Sequence, residues 1–128
     1  MEKNKIEGNG AGALILVVDD DATIIELVDL VLTQNGFKTR KAANIKDAVK
    51  LAEEESFDLA ILDIFLPDGT GLELARKIKS RNPKLPVIIM TGTPDSGNVK
   101  QAVDIEVDAY LIKPVDVDKL LSLVKDML

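Results

Sequence analysis

The chain has 128 residues, 46% of them hydrophobic and 30% charged, which suits one ordinary domain with a real core and excludes a wholly disordered chain. By size scaling such a domain buries about two-thirds of the surface its unfolded chain exposes, enough to fold without covalent staples. The absence of Cys and His excludes disulfides, zinc sites of thiolates or imidazoles, the usual Ser-His and Cys-His triads and a histidine phosphodonor, while 16 basic against 22 acidic residues (net −6) argue against gripping nucleic acid.

No stretch approaches the ~20 apolar residues of a membrane span. Residues 1–12 carry Lys3 and Lys5 and then Gly8, Asn9, Gly10 and Gly12, without the apolar segment of a signal peptide. They read as a mobile leader or an appended remnant, residues 13–128 as the domain, and the expected compartment is the cytoplasm. The first core run, LILVV at 14–18, is continuously apolar, as a strand covered on both faces should be. Ile24, Leu27, Val28, Val31 and Leu32 then form one helical stripe, closed by Asn35-Gly36. Residues 37–42 mix apolar side chains with Lys38, Arg40 and Lys41, which predicts an edge strand. Asn44 is placed to cap a helix over 45–55 whose inner face holds Ala48, Leu51 and Ala52.

The alternation continues with LAIL at 59–62 as a buried strand. Thr70-Gly71-Leu72-Glu73 is a capping box opening a helix that Asn82-Pro83 ends. VIIM at 87–90 is the fourth strand, residues 98–106 a short helix, and AYLI at 109–112 the fifth strand. Asp116 caps a last helix striped by Leu120, Leu121, Val124 and Leu128. Five strands alternating with five helices predict an α/β fold, a doubly wound parallel sheet.

In such a sheet ligands bind beyond the carboxyl ends of the strands, where the strand order reverses. The first strand is followed by Asp19, Asp20 and Asp21, the third by Asp63, the fourth by Thr91-Gly92 and the fifth by Lys113-Pro114; the second delivers only Ala42-Ala43-Asn44. Two carboxylates ~5 Å apart repel by about 3 kcal/mol at an effective dielectric of 20. Protonation, a neighbouring cation or a divalent metal relieves this, and an all-oxygen site favours magnesium or manganese. A metal-bound carboxylate beside a lysine and a hydroxyl suits phosphoryl transfer.

LILVVDDD (14–21), LAILDIFLPDGTG (59–71), VIIMTG (87–92) and YLIKP (110–114), in this order and each closing a predicted strand, resemble the receiver domain of two-component response regulators over 14–128. The resemblance implies a flavodoxin-like (βα)5 fold with strand order 2-1-3-4-5. It implies that Asp63 is the phospho-acceptor, that Asp20 ligates Mg2+ directly (Mn2+ being the alternative) and that Asp19 holds the ion largely through water. The backbone carbonyl of Phe65 supplies a further ligand, Lys113 pairs with the phosphate, Thr91 turns its hydroxyl onto it, and Tyr110 changes rotamer with that threonine. The Lys113–Pro114 peptide is cis in such folds, and the output face spans about 98–128. A sensor histidine kinase or histidine phosphotransfer protein would be the donor, a downstream target would dock on the output face, and phosphorylation could drive homodimerisation. Neither direct nucleic-acid binding nor membrane association is implied, and the chain assists its own phosphorylation and dephosphorylation without turning over a free substrate. Phe65 and Thr93 flank the path of attacking water, and an apolar ring there would slow hydrolysis. Glu106-Val107-Asp108-Ala109 departs from the Gly-Ala pair common before the fifth strand.

Each residue also has a plainer reading. Asp21 is better placed as the N-cap of the first helix than as a ligand. Asp19 and Asp20 suit a solvated strand end, Thr91 a turn, Lys113 a snorkelling surface lysine and Tyr110 a strand aromatic. Asp68-Gly69 reads as turn chemistry alone. Rival functions are a haloacid-dehalogenase-like phosphatase using Asp19 in the string D-x-D-x-T, a receiver-shaped interaction module that never takes phosphate, and a flavin mononucleotide binder. The last is disfavoured because three carboxylates after the first strand would repel its phosphate.

Overall fold

Strands form where β-branched and leucine runs can be covered on both faces, and helices where the apolar period lengthens to 3.6. The computed structural model describes residues 12–92 and 107–128. In chain order it holds β1 (Leu14–Val18), α1 (Ala22–Gln34), β2 (Lys38–Ala42), α2 (Ile45–Glu54), β3 (Leu59–Asp63), α3 (Gly71–Arg81), β4 (Val87–Thr91), β5 (Ala109–Ile112) and α4 (Val117–Met127). The helix expected at 98–106, Thr93 and most of the leader lie outside the described residues. Among the described residues no helix is long and apolar enough to cross a membrane.

The five strands pair in parallel in the order β2-β1-β3-β4-β5. The chain steps outward from β1 to β2 and then back across to β3, so the reversal falls between β1 and β3, and their carboxyl ends flank one crevice. β2 is the edge, as its three basic residues predict, and Arg40 reaches back to Glu55 with Nε at 2.8 Å and Nη2 at 3.0 Å from the carboxylate.

Side chains alternate between the two faces. Leu16, Val18, Ala60, Leu62, Val87 and Ile89 pack under α2 and α3 with Ala48, Leu72, Ala75 and Ile78. Ile15, Val17, Leu59, Ile61, Ile88, Met90 and Leu111 pack under α1 and α4 with Val28, Leu32, Leu120 and Val124. Capping follows the sequence closely. Asp21, Asn44, Thr70 and Asp116 each accept a backbone N–H two or three residues on, and Gly36 (φ 91°) takes the left-handed turn that leaves α1. Two strands run one residue further than the apolar pattern indicates: β3 includes Asp63 and β4 includes Thr91. Between β3 and α3 a short antiparallel ladder, Phe65–Leu66 against Gly69–Thr70, has no counterpart in the sequence reading.

Leu62 is fully buried in the central strand, one residue before Asp63. Leu62→Ala is expected to lower stability by about 3 kcal/mol through lost contacts and a cavity, read as a lower urea midpoint at unchanged slope. A loss under about 1 kcal/mol would mean that the surrounding core closes over the gap.

Candidate functional site

The carboxyl edge of the sheet is assembled largely by backbone. Asp19 follows β1, and its N–H donates to the Ala42 carbonyl at 3.1 Å, continuing the β1–β2 ladder by one bond. Asp63 ends β3, and the next N–H, that of Ile64, donates to the Met90 carbonyl at 3.0 Å. Beyond β5, the Lys113 N–H donates to the Thr91 carbonyl at 2.8 Å, which draws the lysine back alongside β4. The Lys113–Pro114 peptide is cis, as the resemblance implies.

These ladders bring the charged side chains together. Lys113 Nζ lies 2.9 Å from Asp19 Oδ2 and 3.2 Å from Asp63 Oδ1. One carboxylate oxygen from each of Asp19, Asp20 and Asp63 lies within 4.8 Å of the others. Asp19 and Asp63 are buried whereas Asp20 is exposed, so the cluster opens to water on the Asp20 side. Asp19 Oδ1 accepts the N–H of Asp21 at 2.9 Å. Its Oδ2 contacts the lysine as an ion pair but has no aligned hydrogen-bond donor.

Among the described residues, three carboxylates against one ammonium leave an uncompensated negative charge. Burial is the main cause of a raised Asp63 pKa; the Asp19 charge pushes the same way, and Lys113 only partly offsets them. Burial alone would lower the Lys113 pKa, but Asp19 and Asp63 outweigh it and hold the ammonium above its ordinary range. The donor set fits a hard divalent cation: three carboxylates converge, imidazole and thiolate are absent, and a buried oxygen lacks a hydrogen-bond donor.

Thr91 is fully buried at the end of β4. Tyr110, opposite Ile89 on β5, packs against the core under α2 and α3. Phe65 turns its ring outward at 63% exposure, just past Asp63. Asp21 caps α1 by accepting the Thr23 N–H at 2.9 Å, in keeping with its plainer reading. The sequence-derived set thus meets at one edge, with Asp19, Asp20, Asp63 and Lys113 in one cluster and Thr91 beside it.

Two residues there were not singled out for the site from sequence. Gly71 opens α3 with its N–H donating to the Ile64 carbonyl at 2.8 Å; a Cβ on it would stand 2.1 Å from the Asp63 carbonyl oxygen. Its place inside the Thr-x-x-Glu capping box is the sequence signal, since such a box does not itself require glycine. Asp68 accepts the Ile45 N–H at 2.8 Å and the Lys46 N–H at 3.1 Å, so it does more than shape its own turn. No local pattern announces a partner more than twenty positions away.

The family model described as the response regulator receiver domain matches residues 15–125. The response regulator protein PilR of Pseudomonas aeruginosa is 39% identical over 109 residues, covering 85% of this chain and 24% of PilR. The transcriptional regulatory protein CitT of Bacillus subtilis is 36% identical over 107 residues, covering 82% of this chain and 47% of CitT. The chain therefore spans about a quarter to a half of these curated relatives. Among solved structures, a CheY-like response regulator receiver domain protein from Methanospirillum hungatei superposes with a TM-score of 0.87 at 34% identity, over 91% of this chain and 93% of that one.

A carboxyl whose pKa rises on folding stabilises the fold below its unfolded pKa, and that contribution is lost as pH climbs through the raised value. Asp63→Asn is therefore expected to raise Tm by a few degrees at pH 7 without divalent ions, the gain shrinking as pH falls through the raised Asp63 pKa and gone by about pH 4. An equal or lower Tm for Asp63→Asn at pH 7 in thermal melts would show that the charge cluster is not under strain.

Proposed function

The chain belongs to the response regulator receiver domain family, and on that premise we propose that it accepts a phosphoryl group on Asp63 from a phosphohistidine. The observation that carries this reading is the Asp19–Asp20–Asp63 cluster paired with Lys113. A carboxylate oxygen of Asp63 bonds to phosphorus as the P–N bond breaks, and the imidazole leaves with a proton on the freed nitrogen. The donor is a sensor histidine kinase or a histidine phosphotransfer protein, since this chain contains no His.

Asp19, Asp20, Asp63 and the Phe65 carbonyl would hold Mg2+, with Mn2+ the alternative. When bound, the ion supplies positive charge against the phosphoryl oxygens. Lys113 already contacts the acceptor and is placed to follow the transferred group. Thr91 is the hydroxyl that turns onto it, and Tyr110 moves with Thr91, shifting the population between two packings of the output face at about 98–128. Its described part carries the exposed Ile112 and Val117, to which a downstream target or a second copy would dock. Attack of water on phosphorus returns Asp63 to its free form, so the chain assists its own cycle without turning over a free substrate. The docking-only module leaves the intact set without a use. The hydrolase reading makes a nucleophile of Asp19, which is wholly buried and held against Lys113.

Treatment with acetyl phosphate and Mg2+ should add one phosphoryl group to the wild-type chain and none to Asp63→Asn, read by intact mass. No gain in the wild type, or an equal gain in both, would refute the assignment. The exposed Phe65 ring should keep water from the acyl phosphate, so Phe65→Asn should shorten its lifetime severalfold in the same assay. An unchanged or longer lifetime would remove that role.

A further inference from the structure

The second strand brings no chemistry of its own to the site, yet the helix after it is tied to the loop that does. Of the first four N–H groups of α2, those of Asp47 and Ala48 go to the Asn44 side chain and carbonyl, at 2.8 and 3.2 Å. The other two, from Ile45 and Lys46, are taken by the two oxygens of Asp68, which sits in the β3–α3 loop. A helix start otherwise leaves such donors to water, so one exposed carboxylate completes the cap of α2 from another part of the chain. The contact is reinforced next door. Gly69 (φ 150°) lies so close to α2 that a Cβ on it would stand 2.7 Å from Ile45 Cδ1. The same loop begins at Asp63, carries Phe65, folds back through the Phe65–Leu66 and Gly69–Thr70 ladder, and ends where Gly71 meets the Asp63 carbonyl.

We propose that Asp68 is a positioning residue for the acceptor site: by clamping the loop tip to the first turn of α2, it sets the path of the loop and so the placement of the Phe65 carbonyl beside Asp63. It touches neither ion nor phosphate, and its effect passes through the backbone. The assignment rests on the reading of Asp63 and the Phe65 carbonyl as ligands of a divalent ion.

The test is titration of the full chain with MgCl2 by calorimetry, for wild type, Asp68→Ala and Asp68→Asn, with hydrogen exchange at the Ile45, Lys46 and Gly71 amides in ion-free protein. Asp68→Ala should weaken Mg2+ binding about tenfold, the range seen when groups supporting metal ligands are removed. Asp68→Asn loses the same charge but keeps an accepting oxygen, and should recover part of that affinity. The three amides should exchange fastest in Asp68→Ala, while those of β1 and β3 keep their protection. Wild-type affinity in Asp68→Ala, or equal weakening in both variants, would overturn the clamp and point to simple charge removal in the second case. If the wild type shows no saturable Mg2+ binding, the metal reading fails separately and exchange alone decides. Faster exchange at all three amides in Asp68→Ala then supports the clamp, and unchanged exchange at Gly71 overturns it.

Discussion

Like charge held together by buried strands is the constraint on which the rest of this molecule depends. β1 and β3 lie side by side in the sheet's interior, covered on both faces, and their carboxyl ends cannot spread to relieve repulsion without unpairing the ladder. Asp19 and Asp63 are therefore fixed near each other whatever their charge states. The single ammonium of Lys113 lies between them, and it is itself delivered by a backbone hydrogen bond to Thr91. A site built this way starts from an unfavourable field, of the kind that a proton on one carboxyl or a doubly charged ion among them relieves.

The division of labour among the strands follows. β1 and β3 provide the carboxylates, while β4 and β5 provide the hydroxyl, the aromatic ring and the cation. β2 provides none of these, but it accepts the Asp19 N–H through Ala42 and leads into the helix whose first turn the β3–α3 loop grips. Every strand of the sheet thus contributes to the geometry of one crevice: β1 and β3 by carboxylates, β4 and β5 by other side chains, and β2 by backbone alone.

Much of this was legible in the sequence because the signals were local. Continuous apolar runs marked strands covered on both faces, Asn44, Thr70 and Asp116 marked helix starts, and the basic residues of β2 marked an edge. The polar groups of the site could be named because each follows directly on an apolar run. The ends of β3 and β4 ran one residue beyond the apolar pattern because the ladder continues through a polar side chain when its backbone still has a partner, as Asp63 and Thr91 do. What stayed hidden was non-local. Asp68 looked like turn chemistry because nothing adjacent shows that its oxygens meet the N–H groups of Ile45 and Lys46. Gly71 looked like one slot in a capping box because only the folded chain places the Asp63 carbonyl against its α-carbon.

The close seat of Gly71 also stiffens one flank of the crevice. On that flank the Asp63 peptide unit and the opening turn of α3 are in contact with no room for so much as a methyl group, so neither can rotate unless the other goes with it. A perturbation at the Asp63 carboxylate therefore meets a stiff wall toward α3.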